Sequence, residues 1–176
     1  MRIIAGALGG RNFSSPHSRR THPMSDRVRG ALFNTLGDIR GLTVLDTFAG
    51  SGALGFEAVS RGVAKVILVE NDKPAQQAIV TSIERLGVED KVWLVQSSCS
   101  SWSDSNKDFT FDLVLLDPPY DDIRWLLLQK LTRHVKPGGI LVLSWPGRQE
   151  LPVFDELELV DAKQYGDAQL IFYRKA

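Results

Sequence analysis

From residue 42 onward, short runs of Val, Ile and Leu alternate with longer stretches in which apolar residues recur every third or fourth position. A run apolar at nearly every position predicts a strand buried on both faces, and the 3.6-residue period predicts an amphipathic helix packed against it. Strands are expected at 42–47, 65–70, 91–95, 111–117 and 139–145, the last introduced by the turn Lys136-Pro137-Gly138-Gly139. Helices are expected at 53–61, 73–86 and 121–134. Strand and helix in strict alternation predict an open, doubly wound α/β sheet.

Both ends break the alternation. Residues 157–163 and 169–174 read as strands joined by Tyr165-Gly166-Asp167, a tight turn with no helix between, and therefore as an antiparallel hairpin. Parallel strands closed by such a hairpin fit the seven-stranded, Rossmann-like mixed sheet of class I methyltransferases better than a six-stranded dinucleotide fold. At the other end, 2–5 and 11–13 flank Gly9-Gly10 as a small hairpin, and 14–23 form a polar loop. Ser25 is placed to cap a helix over 26–36 with Val28, Leu32 and Leu36 on one stripe. The chain thus divides into an extension, 1–40, and an α/β body, 41–176.

A length of 176 residues predicts one compact unit, and 43% hydrophobic with 24% charged residues excludes a disordered or fibrous chain. Cys99 is the single cysteine, which rules out an internal disulfide and suits the reducing cytoplasm. No apolar run approaches the ~20 residues of a membrane helix, and the short apolar start before Arg11 reads as strand and turn rather than as a signal peptide. No metal-ligand cluster stands out, and nothing demands more than a monomer. The formal net charge of zero argues against a nucleic-acid partner until it is divided. Residues 1–40 carry +5, with seven arginines and no lysine, and 41–176 carry −5. A basic arm on an acidic body leaves room for RNA phosphates at Arg11, Arg19, Arg20, Arg27 and Arg29. Arg27 or Arg29 is alternatively placed to meet a cofactor carboxylate, or to pair with Asp26 or Asp38.

Chemistry concentrates in two places. The first is Asp46-Thr47-Phe48-Ala49-Gly50-Ser51-Gly52-Ala53-Leu54-Gly55, between the first parallel strand and its helix. Gly50, Gly52 and Gly55 match the G-x-G-x-x-G spacing that lets backbone N–H groups approach a ligand at a helix N-terminus. Glu70, 20 positions beyond Gly50 at the end of the second strand, is placed to accept ribose hydroxyls. A dinucleotide and S-adenosylmethionine both satisfy these features. Asp46 favours the latter, whose ammonium group needs an acceptor.

The second place is Asp117-Pro118-Pro119-Tyr120, which ends the fourth strand. In a sheet of order 3-2-1-4-5, strands one and four are neighbours, and their carboxyl ends flank the point where ligands bind. An exocyclic amine is a poor nucleophile because its lone pair is conjugated with the ring. The Asp117 carboxylate and the Pro118 carbonyl can accept its two N–H bonds, and Asp117 stabilises the positive charge that develops on nitrogen. Pro118 and Pro119 stiffen the loop, and Tyr120 offers a face for an unstacked base. The motif is common to enzymes acting on adenine N6, cytosine N4 and guanine N2, so it does not name the base.

With these residues in view, the chain resembles the RsmD family of bacterial 16S rRNA (guanine-N2)-methyltransferases. The resemblance runs through Arg2-Ile3-Ile4-Ala5-Gly6, Ser25-Asp26-Arg27-Val28-Arg29, Ala31-Leu32-Phe33-Asn34, the glycine loop, and Phe111-Asp112-Leu113-Val114 leading into 117–120. It implies methyl transfer from S-adenosylmethionine to N2 of a guanine in 16S rRNA or a small-subunit assembly intermediate. The cofactor would be held by Asp46, Thr47, Phe48, Ala49, Gly50, Ser51, Gly52, Glu70, Asn71, Ser98, Cys99 and Asp117. The target base would be held by Asp117, Pro118, Pro119 and Tyr120. The sequence departs from the family at His22-Pro23-Met24, where Arg-Pro-Thr is usual, at Ser97-Ser98, where Gly-Asp is common, and at Gly30, where Glu is usual. Alternatives are an adenine-N6 methyltransferase and a small NAD(P)-dependent oxidoreductase.

Overall fold

The computed structural model describes residues 1–16 and 23–176. Five parallel strands and a terminal hairpin form one seven-stranded sheet in the order β3-β2-β1-β4-β5-β7-β6. The strands are β1 (Thr43–Thr47), β2 (Lys65–Glu70), β3 (Val92–Gln96), β4 (Phe111–Leu116), β5 (Val135–Pro146), β6 (Leu157–Tyr165) and β7 (Ala168–Lys175). The β5–β7 and β6–β7 ladders are antiparallel, as the missing helix between 157 and 174 requires. The helices are α1 (Asp26–Leu36), α2 (Ala53–Ser60), α3 (Lys73–Leu86), α4 (Cys99–Ser105) and α5 (Trp125–Leu131).

Strands β1 and β4 alternate between two cores. Val44, Leu113 and Leu115 pack with α2 and α3 on one face, and Leu45, Val114 and Leu116 pack with α4 and α5 on the other. Burial on both faces explains the unbroken Val/Ile/Leu runs. Ser25 caps α1 through the Val28 N–H, and Asp72 caps α3 through the Ala75 N–H. The expected turn at 136–139 lies inside β5, where Gly138 at φ 76° accompanies a register shift against β4. Helix α5 begins at Trp125 rather than near 121 and runs into a 3-10 turn, Thr132–His134.

The extension is fastened to α2. Arg2 and Asn12 bridge antiparallel, with Ile3 N–H to Arg11 C=O at 2.9 Å, which gives the expected small hairpin. Buried Glu57 accepts the Ile4 N–H at 2.8 Å and the Ala5 N–H at 3.1 Å, and Arg61 holds the same carboxylate at 2.9 Å. Arg29 is fully buried beside Glu57, bonded to Asp26 and to the Arg2 carbonyl. On α1, Arg29, Leu32 and Phe33 therefore form the buried stripe, with Val28 and Leu36 only partly covered.

Candidate active site

The carboxyl ends of β1, β2 and β4 open onto one cleft of about 1220 Å³. Asp46 and Phe48–Ser51 line one wall, Glu70 and Asn71 the next, Ser98 and Cys99 a third, and residues 117–120 the far side. Parallel pairing of β1 with both β2 and β4 accounts for this convergence, because it brings the last residues of all three strands together.

The loop after β1 turns through left-handed backbone at Phe48 (φ 55°), Gly50 (φ 57°) and Gly52 (φ 80°). A bulky residue in that region is strained, and such strain clusters at ligand sites. Glu70 ties the loop down: one carboxylate oxygen accepts the Gly50 N–H at 2.7 Å, and the other accepts the Asn71 and Asp72 N–H groups. Gly55 has a packing role, since a Cβ there would lie 2.4 Å from a Leu68 methyl. Asp46 accepts the Gly55 N–H at 3.0 Å through Oδ2, while Oδ1 is buried without a partner among the described residues. Burial, with the nearby charges of Asp117 and Glu70, pushes the Asp46 carboxyl well above the usual range despite that hydrogen bond. A buried acceptor with one free oxygen fits a cationic ligand group.

On the far side, burial raises Asp117 to about 6, against the opposing action of the Ser144 hydroxyl. The Tyr120 hydroxyl lies 2.6 Å from Ser144 Oγ, while the residue as a whole stays 40% exposed. The Pro118 carbonyl accepts no hydrogen bond among the described residues, whereas that of Pro119 accepts the Asp122 N–H at 3.2 Å. Asp117 and Pro118 thus present two acceptors at the mouth of one strand.

Several residues fall elsewhere than expected. Thr47 does not line the cleft; its hydroxyl turns into the sheet and donates to the Leu115 carbonyl. Gly52 lies behind the loop, packed on Phe56. Ser98 lines the cleft, but its hydroxyl already caps α4 through the Ser101 N–H. Cys99 is buried, and its thiol is pushed up to about 11 by desolvation, which suits a packed wall and not a nucleophile. Two of the five candidate arginines of the arm are used internally. Arg29 is buried and paired, so it is not available to RNA phosphate. Arg11 caps α3 through the Arg85 and Leu86 carbonyls. Arg27 is exposed, and Arg19 and Arg20 lie outside the described residues. Conversely, Ser144, Arg124 and the Tyr165–Asp167 turn line the cleft although no motif marks them. The register of β5 brings Ser144 there, the hairpin brings its turn, and Arg124 arrives on the loop between Tyr120 and α5. No helix among the described residues is long and apolar enough to cross a membrane.

A mostly parallel sheet of this order, closed by an antiparallel hairpin over a glycine loop, is the class I methyltransferase fold. Within that class, residues 1–174 match the family model described as Conserved hypothetical protein 95, and the chain belongs to this family, the RsmD family. It is 38% identical to ribosomal RNA small subunit methyltransferase D of Escherichia coli K12, over 80% of this chain and 69% of that protein. It is 33% identical to the protein of the same name from Buchnera aphidicola subsp. Acyrthosiphon pisum, over 97% and 91% of the two chains. Among solved structures, the Escherichia coli protein yhhF superposes with a TM-score of 0.88 at 29% identity, covering 99% of this chain and 97% of that one.

Proposed function

We propose that the protein methylates N2 of a guanine in 16S rRNA, using S-adenosylmethionine, during small-subunit assembly. The observation that carries this reading is the shared cleft. A glycine loop with an orphaned, buried Asp46 oxygen and Glu70 lines the same cavity as Asp117-Pro118-Pro119-Tyr120. The names of the relatives, which are ribosomal RNA small subunit methyltransferases, support the substrate class.

S-adenosylmethionine bound in the cleft supplies an electrophilic methyl group. Asp46 is suited to the cofactor's ammonium, and the backbone of residues 48–51 with Glu70 to the rest of it. Asp117 and the Pro118 carbonyl accept the two N–H bonds of the target amine, fixing the nitrogen and stabilising charge as it becomes cationic. Tyr120 lends its ring to the unstacked base. With acids at Asp46, Glu70, Asp117, Asp121 and Asp122 around the cleft, phosphates belong outside it. The extension, residues 1–40, is proposed to meet RNA through Arg27, whose neighbours Ser25 and Val28 line the cleft, and through the Arg19-Arg20 pair.

A thermal-shift titration tests the cofactor. S-adenosylmethionine raises Tm and NAD(P) does not, and the reverse would assign the loop to a dinucleotide. Asp117→Ala abolishes RNA methylation while the fold persists, and near-normal turnover would remove Asp117 from the reaction.

A further inference from the structure

Ser144 is not part of either motif, yet it sits between the two side chains the reaction asks most of. It is the tenth residue of β5 and is buried. Leu143 pairs with Leu116 in the parallel β4–β5 ladder, so Ser144 and Asp117 are the next residues of neighbouring strands. Its hydroxyl oxygen lies 2.6 Å from the Tyr120 hydroxyl. The same hydroxyl acts on the Asp117 carboxylate, opposing the rise that burial causes. The proton order follows from the donors available. An ionised carboxylate only accepts, so with Asp117 ionised on the neighbouring strand end Ser144 is the one able to turn a proton toward it, which leaves its oxygen to accept the Tyr120 O–H. Tyr120 keeps its proton, because burial and the nearby Asp117 raise its pKa.

We propose that Ser144 is a positioning residue for methyl transfer, its hydroxyl joining Tyr120 to Asp117 so that the stacking ring and the amine-holding carboxylate are set as one unit. This rests on the reading of Asp117 and Tyr120 as the base-holding groups. Other charged and titratable groups share the cleft and set the background against which Ser144 acts: Asp46 and Glu70 on the strand ends, Asp121, Asp122 and Arg124 in the loop after Tyr120, and Asp167 in the hairpin turn.

The test compares wild type, Ser144→Ala, Ser144→Thr and Tyr120→Phe. Two readouts are taken: the carboxyl 13C NMR titration of Asp117 in the protein alone, and pH profiles of kcat and KM for RNA. Removing a hydroxyl donor from a carboxylate raises that carboxyl by about one pH unit. In Ser144→Ala the Asp117 titration and the acid limb of kcat/KM therefore move up together by about that much, with roughly a fivefold loss at pH 6, approaching tenfold at lower pH, and recovery at high pH. Ser144→Thr keeps the hydroxyl and restores the wild-type limb. Tyr120→Phe keeps the ring but frees it, and KM for RNA rises more than kcat falls. An unmoved Asp117 titration in Ser144→Ala, or a loss equal at every pH, would overturn the proposal. An active Asp117→Ala would instead overturn the base-holding reading beneath it.

Discussion

Asp117 is a carboxylate held where it is costly to ionise. Folding raises it from 3.8 to about 6 through burial. Below about pH 4 both folded and unfolded chains are protonated, and stability is unaffected. As pH rises, the unfolded chain ionises first, so native stability falls until about pH 6 and stays reduced above it. The penalty is at most about 3 kcal/mol. Asp117→Asn is therefore expected to raise Tm by several degrees at pH 7.5 and to converge with wild type near pH 4; an equal offset at both pH values would count against a titrating Asp117. Asp46 gives a second handle. If its raised carboxyl receives the cofactor's ammonium, binding favours the ionised form and releases a proton. Calorimetry of S-adenosylmethionine binding in buffers of different ionisation enthalpy is expected to show that release in wild type and its disappearance in Asp46→Asn. Gly55 carries a purely steric prediction. In Gly55→Ala the new methyl meets Leu68 at 2.4 Å, so thermal melting should reveal a destabilisation of about 1–3 kcal/mol.

At the scale of elements, the parallel sheet is readable because its strands are buried on both faces, and the hairpin because no helix fits between 163 and 169. Helix α4, with sequence CSSWSDS, has no apolar period. It forms because Ser98 caps it and Trp102 and Cys99 pack it onto the sheet. Residues 121–124 are compatible with helix, which sets the expected start of α5 too early; Arg124 takes extended backbone as its N-cap instead. The glycine loop and the residues of the Asp-Pro-Pro-Tyr motif are legible as local spacings. Ser144 is not, because only strand register brings it to Asp117. The arginine arm misleads in part. Composition counts charges but does not say that Arg29 is buried against Glu57 or that Arg11 caps α3. Glu57 is the joint between extension and body. Glu57→Ala removes the acceptor of two backbone N–H groups and of Arg61, and takes the nearby countercharge from buried Arg29, a change worth about 3–5 kcal/mol. Hydrogen exchange at Ile4 and Ala5 is expected to quicken far more than exchange in β1, and uniform protection would contradict the clamp.

On the scale of the whole molecule, a net charge of zero conceals an acidic cleft and an arm whose arginines do different work. Salt dependence separates them. Removing one cation that meets a phosphate lowers the slope of log affinity against log salt by about one. Arg27→Ala is expected to reduce that slope for rRNA, whereas Arg11→Ala leaves the slope unchanged and lowers Tm instead. On the proposed reading, the two-acceptor site of this RsmD-family protein is directed at guanine N2. The most direct measurement incubates the protein with labelled S-adenosylmethionine and under-methylated small-subunit particles or naked 16S rRNA, then identifies the labelled nucleoside by mass spectrometry. N2-methylguanosine, absent with Asp117→Ala, is the predicted result; label in N6-methyladenosine, or none in either RNA, would contradict it.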